Sequence, residues 1–188
     1  PQQQAVLAYF LLMFLLRGMP FIDLAHLRKR DMQDGRITYS RHKTDKPITV
    51  RIPREALVLI AKYADRHSAS PYLFPILDAR IRDSWQSYRN YQDALRHFNR
   101  KLGQVMSRLL PGVRVSSYTA RHTWATLAFH SGQPVGIISQ ALGHSSLRVT
   151  ETYLKPFGNE LVDKANRQLI ASVRKCKWKN ETEYRAGL

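Results

Sequence analysis

Glycine and proline cut this chain into short helical lengths, and one stretch alone has the alternation of a β-ribbon. Gly18 with Pro20, Pro111-Gly112, Gly132 with Pro134, Gly143 and Pro156-Phe157-Gly158 fall where apolar-periodic segments stop, the places where helix C-caps and helix-ending prolines belong. The punctuation predicts helices over Gln2–Leu16, Pro20–Leu27, Arg54–Arg66, Tyr88–Leu110, Ser117–Ser131, Pro134–Leu142, Leu147–Lys155 and Asn159–Val173. The first is apolar nearly all round, which predicts burial. Arg36–Arg41 and Ile48–Ile52 alternate and are β-branched, and a polar, basic tip joins them. They predict a two-stranded antiparallel hairpin. His67–Trp85 carries two prolines and reads as a loop anchored by Tyr72-Leu73-Phe74. The fold class is therefore α+β, mostly α-helical, with a small antiparallel β-ribbon and no internal repeat.

Composition narrows what such a fold does. In 188 residues there are 30 Lys plus Arg against 14 Asp plus Glu, a formal net charge of +16. The 44% hydrophobic content excludes a disordered chain, which lacks the apolar surface to offset its ordering entropy. The reading is one compact domain over 1–174 with a polar tail over 175–188. The longest apolar run, Ala5–Leu16, is too short to span a bilayer, so no membrane partner is expected. Cys176 is the only cysteine, which excludes a disulfide framework and a Cys-based zinc site and suits a reducing cytoplasm. The charge excess predicts an anionic polymer as partner, nucleic acid first, without separating DNA from RNA or an acidic lipid surface. It is concentrated: Arg28 to Arg54 holds nine Lys or Arg and three Asp, and Arg80 to Arg114 eight and two. A solvated edge hairpin that uses charge to block aggregation explains the first cluster equally well.

Three segments carry chemistry. They are Ser117-Tyr118-Thr119-Ala120-Arg121-His122-Thr123-Trp124, then Leu142-Gly143-His144-Ser145-Ser146, then Thr150-Glu151-Thr152-Tyr153-Leu154. Singly, each has an ordinary reading: Tyr153 as a core tyrosine, His144 as a loop histidine, Arg121 and Lys43 as surface cations. Together, with 23 residues from Arg121 to His144 and nine from there to Tyr153, the set resembles the catalytic core of the tyrosine recombinases, the phage integrase family. The resemblance covers most of the chain. It implies one active site built from an Arg-His-Thr helix start, a Leu-Gly-His-Ser-Ser turn and a Thr-x-x-Tyr helix, with Lys43 and Arg17 as further members.

Physical chemistry accounts for these residue types. A phosphodiester repels an attacking oxygen until its non-bridging oxygens are neutralised, and a guanidinium, always charged and forked, suits that task. Tyr153 is the implied nucleophile, a phenol whose ordinary pKa is about 10 and which loses its proton as it attacks. Lys43 at the hairpin tip is the implied general acid for the departing sugar oxygen. A 3′-phosphotyrosyl link keeps the ester's energy, so neither ATP nor a metal or other cofactor is expected. Arg121 and Arg17 are the implied phosphate clamps, and His144 and Tyr118 assist.

The chain departs from the family pattern twice. Tyr118 stands where a histidine is usual, three residues before Arg121. A phenol orients well but is a poor base at neutral pH. If Asp23 is the acid that usually follows the first arginine by three, Pro20 fills the arginine's own slot. Arg17 is then the expected replacement, with Arg28 as alternative. His122 points about 100° away from Arg121 around a helix and reads as a structural donor.

The remaining cations, Arg36, Arg41, Lys46 and Arg51 on the ribbon and Arg96, Arg100 and Arg114 on or after the long helix, are expected to track DNA backbone phosphates. The resemblance further implies double-stranded DNA as partner and a homo-tetramer on two DNA sites, with a separate N-terminal DNA-binding domain beyond this chain. The apolar face of Asn159–Val173 would then dock on a neighbouring protomer. Packing on its own domain is the plainer reading. The alternatives are a relative that binds DNA without chemistry and a type IB topoisomerase-like enzyme that nicks and reseals. A plain basic RNA-binding protein lacks any RNA-binding motif here.

Overall fold

A computed structural model of the chain describes residues 2–154 and 158–171. It divides into two units, 1–154 and 155–188. The first contains α1 (Gln2–Leu15), α2 (Phe21–His26), a 3₁₀ turn (Lys29–Asp31), β1 (Met32–Gln33), β2 (Arg36–Ser40) and β3 (Pro47–Arg51). It continues with α3 (Arg54–Tyr63), α4 (Ser84–Leu109), α5 (Ser117–His130), α6 (Val135–Leu142) and α7 (Leu147–Glu151). The second unit holds a helix over residues 159–171 (α8). The polar tail expected over 175–188 lies outside the described residues. Among the described residues, no helix is long and apolar enough to cross a membrane.

Helix α1 is central to the first unit and packs against α3, α4 and α5. Its Leu12 and Met13, with Leu16 just beyond it, join Leu24 of α2, Ile37 and Val50 of the sheet and Phe98 and Leu102 of α4 in one core. The loop anchor holds as expected: Phe74 is fully buried, and Leu73 donates its N–H to the Leu27 carbonyl at 2.7 Å. A smaller cluster of Ala125, Ile138 and Leu142 ties α5 to α6, with Tyr153 packed on it.

Helix α3 ends at Tyr63 rather than Arg66, and three further differences from expectation matter more. The ribbon has a third strand, β1, which pairs antiparallel with β2. Asp34 and Gly35 turn between them with φ of 48° and 69°, the two positive values of a two-residue hairpin turn. Helix α4 starts at Ser84 rather than Tyr88 because the Asp83 carboxylate caps it, accepting the Gln86 N–H at 2.8 Å. Helix α7 stops at Glu151 rather than running to Lys155. The Thr152 hydroxyl bonds back to the Val149 carbonyl at 2.8 Å, and Tyr153 donates its N–H to the Thr150 carbonyl, a tightened turn that lifts Tyr153 off the α-helix.

Two close approaches bring distant segments together. Gly18, at φ 66°, lets the end of α1 meet α5: a Cβ there would lie 3.2 Å from the Arg121 Cα. Gly143 caps α6 at φ 63°, and a Cβ there would lie 2.6 Å from Ile48 Cδ1 and 3.1 Å from Arg41 Cδ. Gly143→Ala should therefore lower stability by about 2–5 kcal/mol, combining a left-handed backbone cost of about 1–2 with overpacking of about 1–3. Denaturant unfolding at unchanged slope checks this, and a loss under 1 kcal/mol would mean that the turn relaxes freely.

Candidate active site

The end of α6 organises the site. The four last carbonyls of a helix lack intrahelical donors and carry the negative end of its dipole. Here the carbonyls of Leu142, Gly143 and His144, three in a row, each accept from a different cation. Arg121 Nη2 donates to Leu142 at 2.7 Å, Arg41 Nη1 to Gly143 at 2.6 Å and Lys46 Nζ to His144 at 3.1 Å. Arg121 also donates to the Gly18 carbonyl at 2.8 Å, and so joins α1, α5 and α6. It is 2% exposed, and burial lowers its pKa.

His144 is fixed from both ring nitrogens. Its Nε2 lies 2.9 Å from Arg121 Nη2, and its Nδ1 lies 2.8 Å from the hydroxyl of the buried Thr150. A guanidinium only donates, so Nε2 accepts, and Nδ1 keeps its proton and donates to Thr150. Burial above all, then the charges of Arg121, Arg41 and Lys43, push the His144 pKa down to about 4. The imidazole is thus neutral at physiological pH, and its accepting lone pair is taken.

Tyr153 sits against this assembly. Its ring centroid lies 5.0 Å from that of His144, and the Arg121 guanidinium carbon lies 5.8 Å from it. Its hydroxyl donates to the Tyr118 hydroxyl at 3.3 Å. Burial, then the bond with Tyr153, raises the Tyr118 pKa, so Tyr118 is an acceptor and not a base. His122, read from the sequence as a structural donor, also reaches the phenol ring. Its ring stacks on Tyr153 at 4.4 Å and 25°, because the turn after α7 carries Tyr153 to that flank of α5.

The other expected members fall in three places. Lys43 is exposed at the loop between β2 and β3, close enough for its charge to act on His144. Arg17, half-buried at φ 61°, donates to the Thr49 carbonyl at 3.4 Å and makes no hydrogen bond to Arg121, His144 or Tyr153. Arg36 and Arg51 are exposed and directly opposite each other on β2 and β3, a like-charge pair that destabilises a sheet unless an anion is near. Arg96 pairs with Asp93, Arg100 Nη2 lies 3.4 Å from His97 Nδ1, and Arg114 is exposed. Arg41 departs from the ribbon's other cations: it is buried, because its side chain turns under the α6 terminus.

Asp23 is the acidic member. It is 3% exposed, its Oδ1 accepts the His42 N–H at 2.9 Å, and its Oδ2 has no partner. Burial raises its pKa against the opposing charges of Arg41 and Arg121. Among the described residues, no group of His, Cys, Asp and Glu is arranged to hold a metal ion.

A pH prediction follows from His144. Its folded-state pKa lies below the ordinary 6.5, so the unfolded chain takes up the proton first as pH falls. The stability tied to its neutral form is full above about pH 6.5 and is lost as pH falls to about 4. His144→Gln should therefore flatten the fall of unfolding free energy across that window relative to wild type, and an unchanged slope would contradict the assignment.

Comparisons with known proteins bear on the family and the fold. The model of the phage integrase family matches residues 2–160. The tyrosine recombinase XerA of Pyrococcus furiosus is 29% identical over 155 residues, covering 79% of this chain and 51% of that protein. XerA of Thermococcus onnurineus is 30% identical over 150 residues, covering 77% and 50%. The chain thus spans about half the length of the curated relatives it matches. Among solved structures, the crystal structure of XerA recombinase superposes with a TM-score of 0.59 at 17% identity, covering 88% of this chain and 63% of that one. The Tn1549 transposon integrase in complex with circular intermediate DNA gives 0.59 at 17%, covering 85% and 59%. At such identities the superpositions show a shared fold, that of the tyrosine recombinase catalytic domain. With the family model matched over most of its length, this chain belongs to the phage integrase family.

Proposed function

We propose that this chain is the catalytic part of a site-specific DNA recombinase that cuts and rejoins strands through a 3′-phosphotyrosyl intermediate. The observation that carries the reading is the buried cation cluster at the end of α6, set beside the hydroxyl of Tyr153 and short of negative charge. The solved neighbours whose names include DNA, such as the Tn1549 integrase complex, support DNA as the anion's source.

In the proposed step, Tyr153 Oη attacks the scissile phosphorus and the bond to the sugar 5′ oxygen breaks. Arg121 neutralises a non-bridging oxygen, already oriented by Gly18, Leu142 and His144. His144 positions that guanidinium, since its accepting nitrogen is already taken by Arg121. Tyr118 holds the attacking hydroxyl, and His122 and His144 flank its ring. The phenolic proton leaves to water or to a phosphate oxygen, and Lys43 protonates the departing 5′ oxygen. One ester replaces another, so the step consumes no ATP, and resident cations supply the charge that a metal otherwise supplies.

Exposed Arg36, Arg51, Arg100 and Arg114 would follow the flanking phosphates. Helix α8 carries exposed Leu161, Val162 and Ile170, which supports docking between protomers of a tetramer on two DNA sites. The protein would work where its DNA is, in the cytoplasm.

Tyr153→Phe keeps the ring contacts and removes the nucleophile. On a nicked substrate that traps the covalent complex, the variant should bind DNA within about twofold of wild type and give no protein-linked strand on denaturing gels. A protein-linked strand from this variant would refute the nucleophile, and a wild type that binds but never traps would make the chain a DNA-binding relative without chemistry.

A further inference from the structure

A phosphate under attack by a phenol needs more than one permanent positive charge, and the end of α1 does not supply the second. Arg17 reaches the Thr49 carbonyl on β3, a long contact of 3.4 Å, and makes no hydrogen bond to Arg121 or His144. Arg41 is placed differently. It is 4% exposed, its Nη1 is pinned on the Gly143 carbonyl at 2.6 Å, and its Nε is buried with no hydrogen-bond partner. Arg121 has the same three properties: near-complete burial, anchorage on the neighbouring Leu142 carbonyl, and a buried Nε without a partner. The two guanidiniums hang from consecutive carbonyls of one turn.

This arrangement is costly in the free protein. Two like charges are drawn out of water, each with an unmet donor. Burying an ion is unfavourable unless its hydrogen-bond partners are complete. The carboxylate that could balance them is Asp23, which spends one oxygen on the His42 N–H and whose own charge burial disfavours. A structural role for Arg41 needs only the bond to Gly143, which Thr44 also reaches with its hydroxyl at 3.4 Å. It does not need a charged fork with a bare Nε.

We propose that Arg41 is a catalytic residue: the second guanidinium that contacts and neutralises the scissile phosphate, in place of an arginine at the end of α1. The inference rests on the phosphotyrosyl reading above and deepens it. Arg121 and Arg41 together form the anion cradle, and the Gly143 turn sets their spacing. Gly143 has no side chain because Arg41 Cδ and Ile48 occupy that space.

Charge rescue separates this role from a structural one. A methylphosphonate at the scissile position lacks one non-bridging charge and so needs one cation fewer. On nicked phosphate substrate, Arg41→Ala should form the covalent complex about 10²–10³-fold more slowly than wild type, the usual cost of removing one donor from a developing oxyanion. On the methylphosphonate substrate it should recover to within about tenfold of wild type. Arg41→Lys, which keeps a charge and a donor for Gly143, should fold as wild type and show the same rescue at a smaller initial loss. Recovery in the neutral substrate cannot come from a variant that has merely unfolded. Absence of rescue in both Arg41 variants would overturn the proposal, and so would rescue of Arg17→Ala in their place. A wild type that traps neither substrate would sink the phosphotyrosyl reading itself, while wild-type trapping with a fully active Arg41→Ala would sink only this inference.

Discussion

Three consecutive backbone carbonyls, those of Leu142, Gly143 and His144, gather Arg121, Arg41 and Lys46 at the candidate site. Hydrogen bonds to charged groups contribute roughly 1.5–3 kcal/mol each, and the helix dipole adds up to about 1 kcal/mol for each nearby cation. These gains offset only part of the cost of burying Arg41 and Arg121. The fold carries the deficit because the surrounding packing, above all α1 against three helices, overdetermines the turn. A site that is under-neutralised when empty is suited to an anion, since the charge it lacks is the charge its ligand brings.

The same bonds explain how chemistry scattered along the chain converges. Arg121 links residues 103 and 21 positions away through the Gly18 and Leu142 carbonyls, and Arg41 reaches 102 positions to Gly143. Glycine is required where these segments touch: any side chain at 18 would press on the Arg121 backbone, and any at 143 on Arg41 and Ile48. Tyr153 joins by a different route. The hydroxyls of Thr150 and Thr152 end α7 early, one on His144 and one on the Val149 carbonyl, and the resulting turn lays the phenol against α5.

Much of this was legible in the sequence. The glycines and prolines mark the helices, and the motif around Arg121, His144 and Tyr153 names the family, because both signals are local. Non-local effects were hidden. Arg41 lies in a run of hairpin charges and reads as exposed; only a carbonyl at the far end of α6 makes it buried. His122 follows Arg121 by about 100° around an ideal helix, and helical geometry alone does not show that Tyr153 arrives against its ring. The third strand and the early start of α4 were within reach, since Asp34-Gly35 is a hairpin signal and Asp83 is a capping residue.

What the account most needs is the position of a tetrahedral oxyanion in a crystal of the wild-type protein soaked with tungstate, whose tungsten scatters strongly enough to be placed unambiguously. The account predicts one ion within hydrogen-bond distance of both Arg121 and Arg41, with the Tyr153 hydroxyl facing it. An ion held elsewhere on the basic surface, with the α6 terminus left empty at saturating tungstate, would contradict it.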